Sequence, residues 1–589
     1  MIRERETTYH ASRLAHHASS MAARRLVEKT RQRLDREIGT AYKSHAGRLA
    51  FALAFPNSYY LGMSNLGFQT VYRLLNDRED AVCERVFLPD LPVRPGDLFA
   101  MESQTRVKDF DVLAFSISYE LDYPNVLKLL ALAGLKETAA ERESGPLVIA
   151  GGPAATFNPE ALAPFIDVFV IGEAEEVLPE LVDVLQEPRE DRMVLLEKLA
   201  QVRGVYVPRF YEPEYKEDGT IKAVYVLHGA PEKVRRRWMP SLEPYAAVSA
   251  ILTPETEFSN MILAEVARGC GRQCRFCVAG YAFLPPRAGQ PEAVLAGIRR
   301  MEEKAAERGL GHPRVGLMSA SVFDHPSSLL ICQELAERDR LFSISSTRAD
   351  TLNSDVAQVL HRGGHETLTI APEAGSDRLR MAINKVMTDE DIMNAAAVAR
   401  DGGFRRLKLY FIVGLPTETP EDVAGISAMV SQIAGMADWE RLTVSLGCFV
   451  PKPWTPFQWA GMEEERTLAD KLRQIRQSLR GLRKVQVMGE SARESVVQGV
   501  LARADRRVRD ALLAMSAGNV SWRAAFRQGG IEPAFYAQKL RDRDEIFPWD
   551  RLDFGVKKTY LWEEYRRAMN TASTSACLVG RCRRCGVCA

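Results

Sequence analysis

Short apolar runs alternate with stretches of helical periodicity in two separate parts of the chain. Within residues 46–240, four such runs occur, and each is short enough to be a buried strand. Strands that alternate with helices favour a parallel sheet covered by helices on both faces, which is a doubly wound, Rossmann-like α/β fold. The four runs cover residues 49–55, 112–116, 147–150 and 168–171.

A second alternation within residues 250–465 predicts six βα units and no seventh. Amphipathic helical patterns fill the gaps between the strands, for example at residues 292–308 and 389–401. Such an arrangement predicts a partial (β/α)6 barrel that is open along one side, with catalytic residues at the carboxyl ends of its strands. The six predicted strands cover residues 261–267, 315–319, 342–346, 367–371, 406–413 and 443–450.

The remaining segments are polar, basic and helical in pattern. Residues 1–45 predict an amino-terminal helical segment, and residues 466–570 predict a helical, basic carboxyl-terminal region. Within the latter, residues 466–487 predict one amphipathic helix with an arginine-rich surface. That surface is either an ordinary solvated face or a nucleic-acid-binding face. Residues 571–589 form a separate cysteine box.

Composition adds limits on the class of protein. The chain has 589 residues, enough for roughly three or four domains, and a formal net charge of only +1. Seven of its ten cysteines lie in two tight clusters, which indicates metal sites in a reducing compartment rather than a disulfide framework. No apolar stretch approaches the roughly 20 residues that a spanning helix needs. We therefore expect a cytoplasmic protein without a membrane partner.

Three cysteines follow the predicted strand at residues 261–267. Cys270, Cys274 and Cys277 place three thiolates on one tight loop at the carboxyl end of that strand. A four-iron cluster held by three cysteines keeps one iron open, whereas a structural zinc site is normally closed by a fourth protein ligand. No cysteine or histidine follows before His312. The spacing favours an open [4Fe-4S] cluster over a zinc knuckle or buried thiols.

Four further cysteines close the chain. Cys577, Cys582, Cys585 and Cys588 can complete a metal shell without help from other residues. Their consecutive spacing favours an auxiliary iron–sulfur cluster, because zinc sites usually join two separated pairs, but structural zinc stays open as the alternative. Free thiols on a disordered tail are a third alternative, disfavoured because exposed thiols oxidise readily.

Three loops with unusual chemistry follow the strands of the first alternation, at residues 56–59, 151–153 and 172–173. Ligands of doubly wound sheets bind at the carboxyl edge of the strands, so these loops form a candidate binding edge. The simpler interpretation is that the glycines make tight turns and that Glu173 favours the start of a helix.

The C-x3-C-x2-C spacing, with Phe276 before the last cysteine, resembles the signature of radical S-adenosylmethionine (SAM) enzymes. The resemblance implies that the amino and carboxylate groups of SAM occupy the open iron. It also implies reductive cleavage of SAM to a 5′-deoxyadenosyl radical and attack on an unactivated C–H bond, with methylation or sulfur insertion as outcomes. A low-potential electron donor such as flavodoxin or ferredoxin is the implied partner.

Later motifs extend this resemblance to radical SAM enzymes related to the tRNA methylthiotransferases. Residues 369–380 resemble their fourth-strand motif, which implies that Glu373 and Ser376 lie near the SAM ribose. Gly414 and Pro416 belong to a segment similar to a "GLPGET" turn that approaches the nucleoside. Thr417 stands where that turn usually has glycine.

Two other loops are assigned to SAM by the same resemblance. Arg348 follows the third predicted strand and is expected to pair with the SAM carboxylate. Ser319 and Ser321 follow the second strand, where this superfamily often has a Gly-Gly-Glu motif for the methionine amine. A salt bridge at the barrel mouth is the alternative role for Arg348 or Glu373.

The chain as a whole resembles an uncharacterised radical SAM family with an amino-terminal domain similar to cobalamin-binding domains. The shared residues run from the 56–59 loop through residues 383–385 to the closing cysteines. No histidine occurs between His45 and His228, so the histidine that ligates cobalt in many such domains is missing. Either cobalamin binds without it, or the domain has changed or lost this ligand.

Two functions follow from these observations. The first is a radical SAM enzyme acting on an unidentified substrate, with RNA as one possibility. The second is a nucleic-acid-binding iron–sulfur protein with a structural or sensory cluster and no SAM turnover, suggested by the basic stripe at residues 466–484 and the cysteine box.

Overall fold

The amino-terminal part of the protein is built on one six-stranded sheet. The computed structural model describes residues 21–188, 191–243, 247–518 and 520–588, so residues 1–20 of the predicted amino-terminal helix lie outside the described part. The sheet order is β2-β1-β3-β4-β5-β6, parallel except for β6. Its strands are β1 (Leu49–Phe55), β2 (Ala81–Phe87), β3 (Val112–Ser116), β4 (Leu147–Gly151), β5 (Val168–Val170) and β6 (Val205–Tyr206).

The four strands predicted in this region are confirmed, but β2 was not predicted. Every residue of β2 is buried, including two charged residues, Glu84 and Arg85. The Arg85 guanidinium lies 2.6 Å from carboxylate oxygens of both Glu37 and Glu102. Periodicity treats buried charges as exposed positions, and only these distant partners make their burial possible.

Helices accompany this sheet, and side-chain caps fix where several of them begin. The Ser58 hydroxyl accepts from Leu61 N–H, and the Asn65 side chain accepts from Phe68 N–H. The helices are α1 (Met21–Arg36), α2 (Tyr59–Met63), α3 (Leu66–Asp77), α4 (Tyr123–Leu132), α5 (Pro153–Phe157), α6 (Ala174–Gln186) and α7 (Arg192–Gln201). A hairpin follows, made of β7 (Tyr211–Tyr215) and β8 (Ile221–Val226).

The central part is an open barrel of seven parallel strands. Sheets β10-β13-β14 and β15-β16-β17-β18 are joined through a parallel bridge between Thr347 and Ile370, where Thr347 N–H donates to Thr369 C=O at 2.9 Å. The strands are β10 (Ile262–Glu265), β13 (Val315–Met318), β14 (Phe342–Ile344), β15 (Thr367–Glu373), β16 (Arg406–Val413), β17 (Arg441–Cys448) and β18 (Val485–Gly489).

The seventh strand corrects the prediction of six βα units. The helix predicted over residues 466–487 ends at Leu479, and β18 then pairs in parallel with β17. Gly481 follows the end of the helix, and Val485 and Val487 alternate with polar residues as in a strand. Helical periodicity of the leucines concealed this change.

Helices cover the outside of the barrel and continue into the carboxyl-terminal region. Two short pairings lie beside them: β9 (Val234–Arg235) with β19 (Leu552–Asp553), and β11 (Ala267–Arg268) with β12 (Arg287–Ala288). The helices are α8 (Pro291–Glu307), α9 (Ser328–Glu337), α10 (Ser354–Arg362), α11 (Asp377–Ala382), α12 (Asp389–Asp401), α13 (Pro420–Met436), α14 (Glu465–Leu479), α15 (Ala492–Arg503), α16 (Arg509–Ser516), α17 (Trp522–Gln528) and α18 (Lys558–Met569). Within the described residues, every helix falls short of the length or apolar character that a membrane crossing requires.

The carboxyl edges of the two main sheets face one another. Glu120, which follows β3, accepts hydrogen bonds from Lys452 after β17 and from Gln498 on α15. Farther along the edge, the Trp454 indole donates to Phe157 C=O at 3.1 Å. The loops that follow the strands of both sheets therefore share one interface, where the candidate site lies.

Candidate active site

The cysteine loop follows the first barrel strand as predicted, and its two ends lie side by side. The antiparallel pair β11 and β12 joins its two ends. Gly269 has a φ of +78°, and a Cβ there would lie only 2.3 Å from Phe283 C=O. Only glycine fits this turn, so Cys270 is placed by a tight backbone contact.

The middle of the loop is fixed by the buried residue Gln273. Its φ of +59° turns the chain between the first two cysteines. Its C=O accepts hydrogen bonds from the Tyr281 hydroxyl and the Asn384 amide, at 2.8 and 3.2 Å. The Tyr560 hydroxyl donates to its side-chain oxygen at 2.8 Å. One neighbour within the loop, Tyr281, and two distant residues, Asn384 and Tyr560, therefore hold Gln273 in place.

Two arginines of the loop anchor it in opposite directions. Arg272 pairs with Asp324 and Asp350, which follow the second and third barrel strands. Arg275 is fully buried and donates to Ala382 C=O at 2.7 Å and to the Glu564 carboxylate at 3.0 Å. The loop is thereby tied both to the barrel mouth and to α18.

The three cysteines are half-buried, and positive charges act on two of them, Cys270 and Cys274. Burial raises the pKa of all three, that of Cys277 to about 12, and the charges of Lys385 and Arg348 partly oppose this rise at Cys274. Three thiolates bound to iron make a net anionic centre, which nearby cations stabilise. The residues present therefore fit a three-cysteine [4Fe-4S] cluster.

Glu373 and Lys385 form an ion pair beside this loop. The Lys385 ammonium lies 2.7 Å from the Glu373 carboxylate, and both charges influence the pKa of Cys274. Glu373 has a φ of +68°, where the register of β15 against β16 shifts. Such a backbone conformation is costly for a non-glycine residue and is found at functional sites. The predicted ribose contact of Glu373 stays a prediction.

Ser376, the other residue predicted near the ribose, has a structural task. Its hydroxyl accepts from Leu379 N–H at 3.2 Å, which caps α11, and it also contacts Asp422. Arg348 likewise has a partner in the protein: its guanidinium forms two hydrogen bonds to Asp350, at 2.8 and 3.0 Å. The predicted SAM contacts of both residues stay predictions.

Ser319 and Ser321 lie in the loop between the second barrel strand and α9. Ser321 N–H donates to the Ser319 hydroxyl at 3.3 Å. Ser321 also bonds to Asp324, which lowers the pKa of that carboxyl together with Arg272. The pair therefore supports the clamp on Arg272, and its predicted contact with SAM is not tested by these distances.

The turn after β16 has glycine and threonine in left-handed conformations. Gly414 has a φ of +79°, and its N–H donates to the buried Glu418 carboxylate at 3.0 Å. Thr417 has a φ of +69°, and its buried hydroxyl has no partner among the described residues. Pro416 lies half-buried between them. The backbone at Thr417 thus takes the shape that glycine usually supplies.

We expect Thr417→Gly to stabilise the protein. A left-handed conformation costs an L-residue roughly 1–2 kcal/mol, while the flexibility of glycine costs about 0.4–1 kcal/mol in return. The net gain should be up to about 1 kcal/mol, seen as a higher midpoint of thermal unfolding. Gly414→Ala is the matched control and should lower the midpoint, because its Cβ would lie 2.6 Å from Leu468. A decrease for Thr417→Gly would contradict the prediction.

The four carboxyl-terminal cysteines lie against the first cysteine loop. Cys577 N–H donates to Gly271 C=O at 2.8 Å, and a Cβ on Gly271 would lie 3.5 Å from that of Cys577. Cys585 is buried, and its C=O accepts from Lys557 N–H at 2.9 Å. Cys577, Cys582, Cys585 and Cys588 are close enough to influence one another's pKa values. Among the described residues, no group of three or more His, Cys, Asp or Glu side chains is arranged closely enough to hold a metal ion.

The anchoring residues were not identified as such from the sequence. Asn384 donates to the carbonyls of Arg272 and Gln273 and accepts from Thr574 N–H. Glu564 accepts from both Arg275 and the Thr574 hydroxyl. The Ile-Asn-Lys segment at residues 383–385 was the available signal, without an indication of its task.

The candidate binding edge of the first sheet has a polar centre beside β1 and β3. The strand order reverses there, which is where such sheets bind ligands. Asn57 donates to the Asp122 carboxylate at 2.7 Å. At the neighbouring loops, Gly152 and Gly172 are in tight turns, because a Cβ would lie 2.6 Å from Ile117 C=O or 2.1 Å from Arg237 C=O.

Glu173 stands at the start of α6, as the simpler interpretation expected, and it has a further role. Its carboxylate pairs with Arg268 at 2.9 Å and with Arg287 at 2.8 Å, and it accepts from Met239 N–H. The two arginines lie on β11 and β12, which join the ends of the cysteine loop. Glu173 therefore fastens the first sheet to that loop.

We expect the stability contributed by Asp122 to fall as the pH rises. Burial raises its pKa to about 6, above the ordinary value of 3.8, so the folded protein binds this proton more tightly than the unfolded chain. The contribution is complete below about pH 4 and disappears as the pH passes 6, a change of about 3 kcal/mol at most. Asp122→Asn should therefore gain in unfolding free energy relative to wild type between pH 4 and 7.

The control for this titration is Asp544→Asn, because the Asp544 side chain is 96% exposed and loses little hydration on folding. Its difference from wild type should stay constant over the same pH range. A constant difference for Asp122→Asn as well would contradict the prediction.

The two basic segments of the carboxyl-terminal region differ in how far their arginines are exposed. Around residue 505, Arg506 pairs with Glu160, Arg507 pairs with Asp505, and Arg503 is buried. Arg506 thereby joins the carboxyl-terminal region to the segment after α5, and Arg507 donates to Gly219 C=O between β7 and β8. The arginines of α14, by contrast, face solvent, while its leucines are buried. Nucleic-acid binding by that helix stays a prediction.

Comparisons with known proteins identify both main parts of the chain. A model described as "Radical SAM proteins, N-terminal" matches residues 67–208, and one described as "Radical SAM superfamily" matches residues 264–430. An uncharacterised protein of Methanocaldococcus jannaschii is 30% identical over 464 residues, covering 78% of this chain and 89% of that protein. An uncharacterised methyltransferase of Pyrococcus horikoshii is 27% identical over 290 residues, covering 47% of this chain and 56% of that protein.

Two solved structures are similar in part. The radical SAM methyltransferase TsrM from Kitasatospora setae, with cobalamin and a [4Fe-4S] cluster bound, is 17% identical with a TM-score of 0.47; the match covers 70% of this chain and 79% of that one. The cobalamin-dependent SAM radical enzyme OxsB, with aqua-cobalamin bound, is 15% identical with a TM-score of 0.43, covering 66% and 52%. The match to the radical SAM superfamily model shows that this chain is a radical SAM enzyme, and the 30% identity to the Methanocaldococcus protein shows that it belongs to that protein's family.

Proposed function

We propose that the protein is a radical SAM methyltransferase that acts on an unactivated carbon. The observation that carries the proposal is the meeting of two ligand-binding edges, with the polar centre at Asn57 and Asp122 on one side and the cysteine loop on the other. Glu120 and Glu173 hold the edges together through Lys452, Arg268 and Arg287. The resemblance to the Pyrococcus methyltransferase supports methyl transfer over sulfur insertion.

The residues of the barrel mouth would bind and orient the cofactors. Cys270, Cys274 and Cys277 would hold the cluster, and Glu373, paired with Lys385, would face the nucleoside of SAM. When bound, the reduced cluster supplies the electron that splits SAM into methionine and a 5′-deoxyadenosyl radical, which removes hydrogen from carbon. The ties made by Arg272 and Arg275 keep the loop fixed, so that SAM is held in one geometry.

Cobalamin is a further candidate cofactor at the first edge, but a histidine ligand does not fit there. His45 precedes β1, at the opposite edge of the sheet, and its imidazole lies 2.7 Å from the Glu84 carboxylate. His228 bonds to Glu197 on α7. No histidine lies between them, so a corrinoid at this edge would receive no imidazole from the sheet. A cobalamin that carried the methyl group between SAM and the substrate would therefore have to bind without a histidine ligand from the sheet.

The test is anaerobic reconstitution with iron, sulfide and SAM carrying a labelled methyl group, followed by a strong reductant. Fractionated RNA and small molecules from a cell extract serve as substrates. We expect 5′-deoxyadenosine, S-adenosylhomocysteine and a labelled product. A product that gains sulfur without the label would instead support sulfur insertion.

The cobalt content of protein purified after growth with cobalamin tests the ligand question separately. We expect a domain that has lost or changed its cobalt ligand to retain less than one cobalt per chain. Stoichiometric retention would show that the first edge binds cobalamin without histidine.

A further inference from the structure

The segment between the first two carboxyl-terminal cysteines is unusually exposed and apolar. Leu578 is 65% exposed and Val579 is 52% exposed, although they adjoin the buried site of Cys585. Exposed apolar side chains that adjoin one another indicate a contact site. We call the surface made by Leu578, Val579, Arg581 and Arg583 the tail surface.

The tail surface is also positively charged. Arg581 and Arg583 are exposed, and no carboxylate in the described part of the chain pairs with either. Arg583 donates to Cys588 C=O, at 2.6 Å. Arg584, next to them, donates to the Cys582 sulfur and to Ser575 C=O. Neither of these acceptors is a carboxylate. An apolar centre beside free arginines is complementary to an acidic protein.

The position of the tail surface relative to the two groups of cysteines indicates what its charge does. Its residues alternate with the four tail cysteines along the chain, and Cys577 contacts Gly271, the residue that follows Cys270. Four cysteine ligands close a metal site, so a centre there would have no open position for a substrate. Such a centre would pass electrons to a cluster held by the loop that contains Gly271.

We propose that the tail surface is the docking site of a small, acidic one-electron carrier protein that reduces this enzyme. The inference rests on the proposed function, because SAM cleavage needs one electron. That electron leaves the reduced carrier, which is oxidised by one electron, and the cysteine-bound iron–sulfur centres of the enzyme are reduced by one. Electron-transfer encounters are weak and bury little surface, so a patch of this size is sufficient.

The test measures reduction rates by stopped-flow absorbance, with flavodoxin hydroquinone as the carrier and the reconstituted full chain as the acceptor. Arg581→Glu/Arg583→Glu should slow this reduction by roughly tenfold or more at low salt, because steering charges change association rates by such factors. The variant should also lose most of the salt dependence seen in wild type. Photoreduced 5-deazariboflavin, a small uncharged reductant, should reduce wild type and variant equally fast.

The matched control is Arg480→Glu/Arg483→Glu, which makes the same charge change at exposed arginines near the end of α14. We expect it to retain the flavodoxin rate. Equal losses in the two double variants would overturn the docking site, and so would a loss that deazariboflavin shares.

A third variant, Cys585→Ala, tests whether electrons enter through the tail. It should lose one cluster's iron and keep the spectrum of the first cluster, which flavodoxin should then reduce more slowly while deazariboflavin does not. Zinc at the tail of wild type, or an unchanged flavodoxin rate in this variant, would overturn the inference. If deazariboflavin-reduced wild type cleaves SAM without labelled product, methyl transfer fails while the docking result stands.

Discussion

Cys274→Ala should abolish the formation of 5′-deoxyadenosine and remove one cluster's iron from the reconstituted protein. The positive charges of Lys385 and Arg348 act on the Cys274 thiol, and without it only two cysteines remain on the loop. Two ligands cannot hold a cluster against loss of iron in the way that three do. Iron and sulfide analysis, together with chromatography of SAM products, measures both effects.

Cys332→Ala is the control for this experiment. Cys332 is buried on α9 and belongs neither to the cysteine loop nor to the carboxyl-terminal cysteine box. It should retain iron and SAM cleavage. Wild-type 5′-deoxyadenosine formation by Cys274→Ala would show that the loop does not hold the catalytic cluster.

Arg275→Leu should lower the unfolding free energy by about 3–5 kcal/mol, because the buried Glu564 carboxylate loses its nearest counterion. Among the described residues, that carboxylate keeps only Arg567 at 3.7 Å and the Thr574 hydroxyl. Glu564 is 1% exposed and Arg275 is fully buried. The same change removes the hydrogen bonds from Arg275 to Ala382 C=O and Ala572 C=O. Chemical denaturation followed by fluorescence measures the loss, and limited proteolysis should then cleave the tail beyond α18.

The double variant Arg275→Leu/Glu564→Leu separates the ion pair from the shape of the side chains. Because it leaves no unpaired charge, it should recover part of the stability that Arg275→Leu loses. If the double variant were no more stable than the single one, the buried charge would not be the cause.

The sequence predicts local features of this fold well where strands are apolar throughout. Strands β1, β3 and β16 begin and end where their hydrophobic runs do. The pattern failed at β2, where Glu84 and Arg85 are buried by means of distant partners, and at β18, where a leucine stripe continued into a strand. Both failures arise because burial depends on tertiary contacts that periodicity does not contain.

The candidate site likewise combines features that the sequence indicates with contacts that it does not. Cysteine spacing predicts the ligands, because chemistry fixes the ligands of a metal centre within a few residues of one another. The supports of the loop come from far away, since Asn384, Tyr560 and Glu564 lie more than 100 residues from it. No pattern within one segment indicates such contacts, and the same holds for the contact of Cys577 with Gly271.

The ion pairs of Glu173 have a consequence for dissecting this enzyme into fragments. A barrel fragment beginning near residue 250 would keep seven strands and all seven clustered cysteines. It would nevertheless expose the apolar rim of the interface and deprive Arg287, which is 7% exposed in the whole protein, of its counterion. The β11–β12 pair at the base of the cysteine loop would then be the first region to loosen. An active barrel therefore requires the amino-terminal sheet in the same chain.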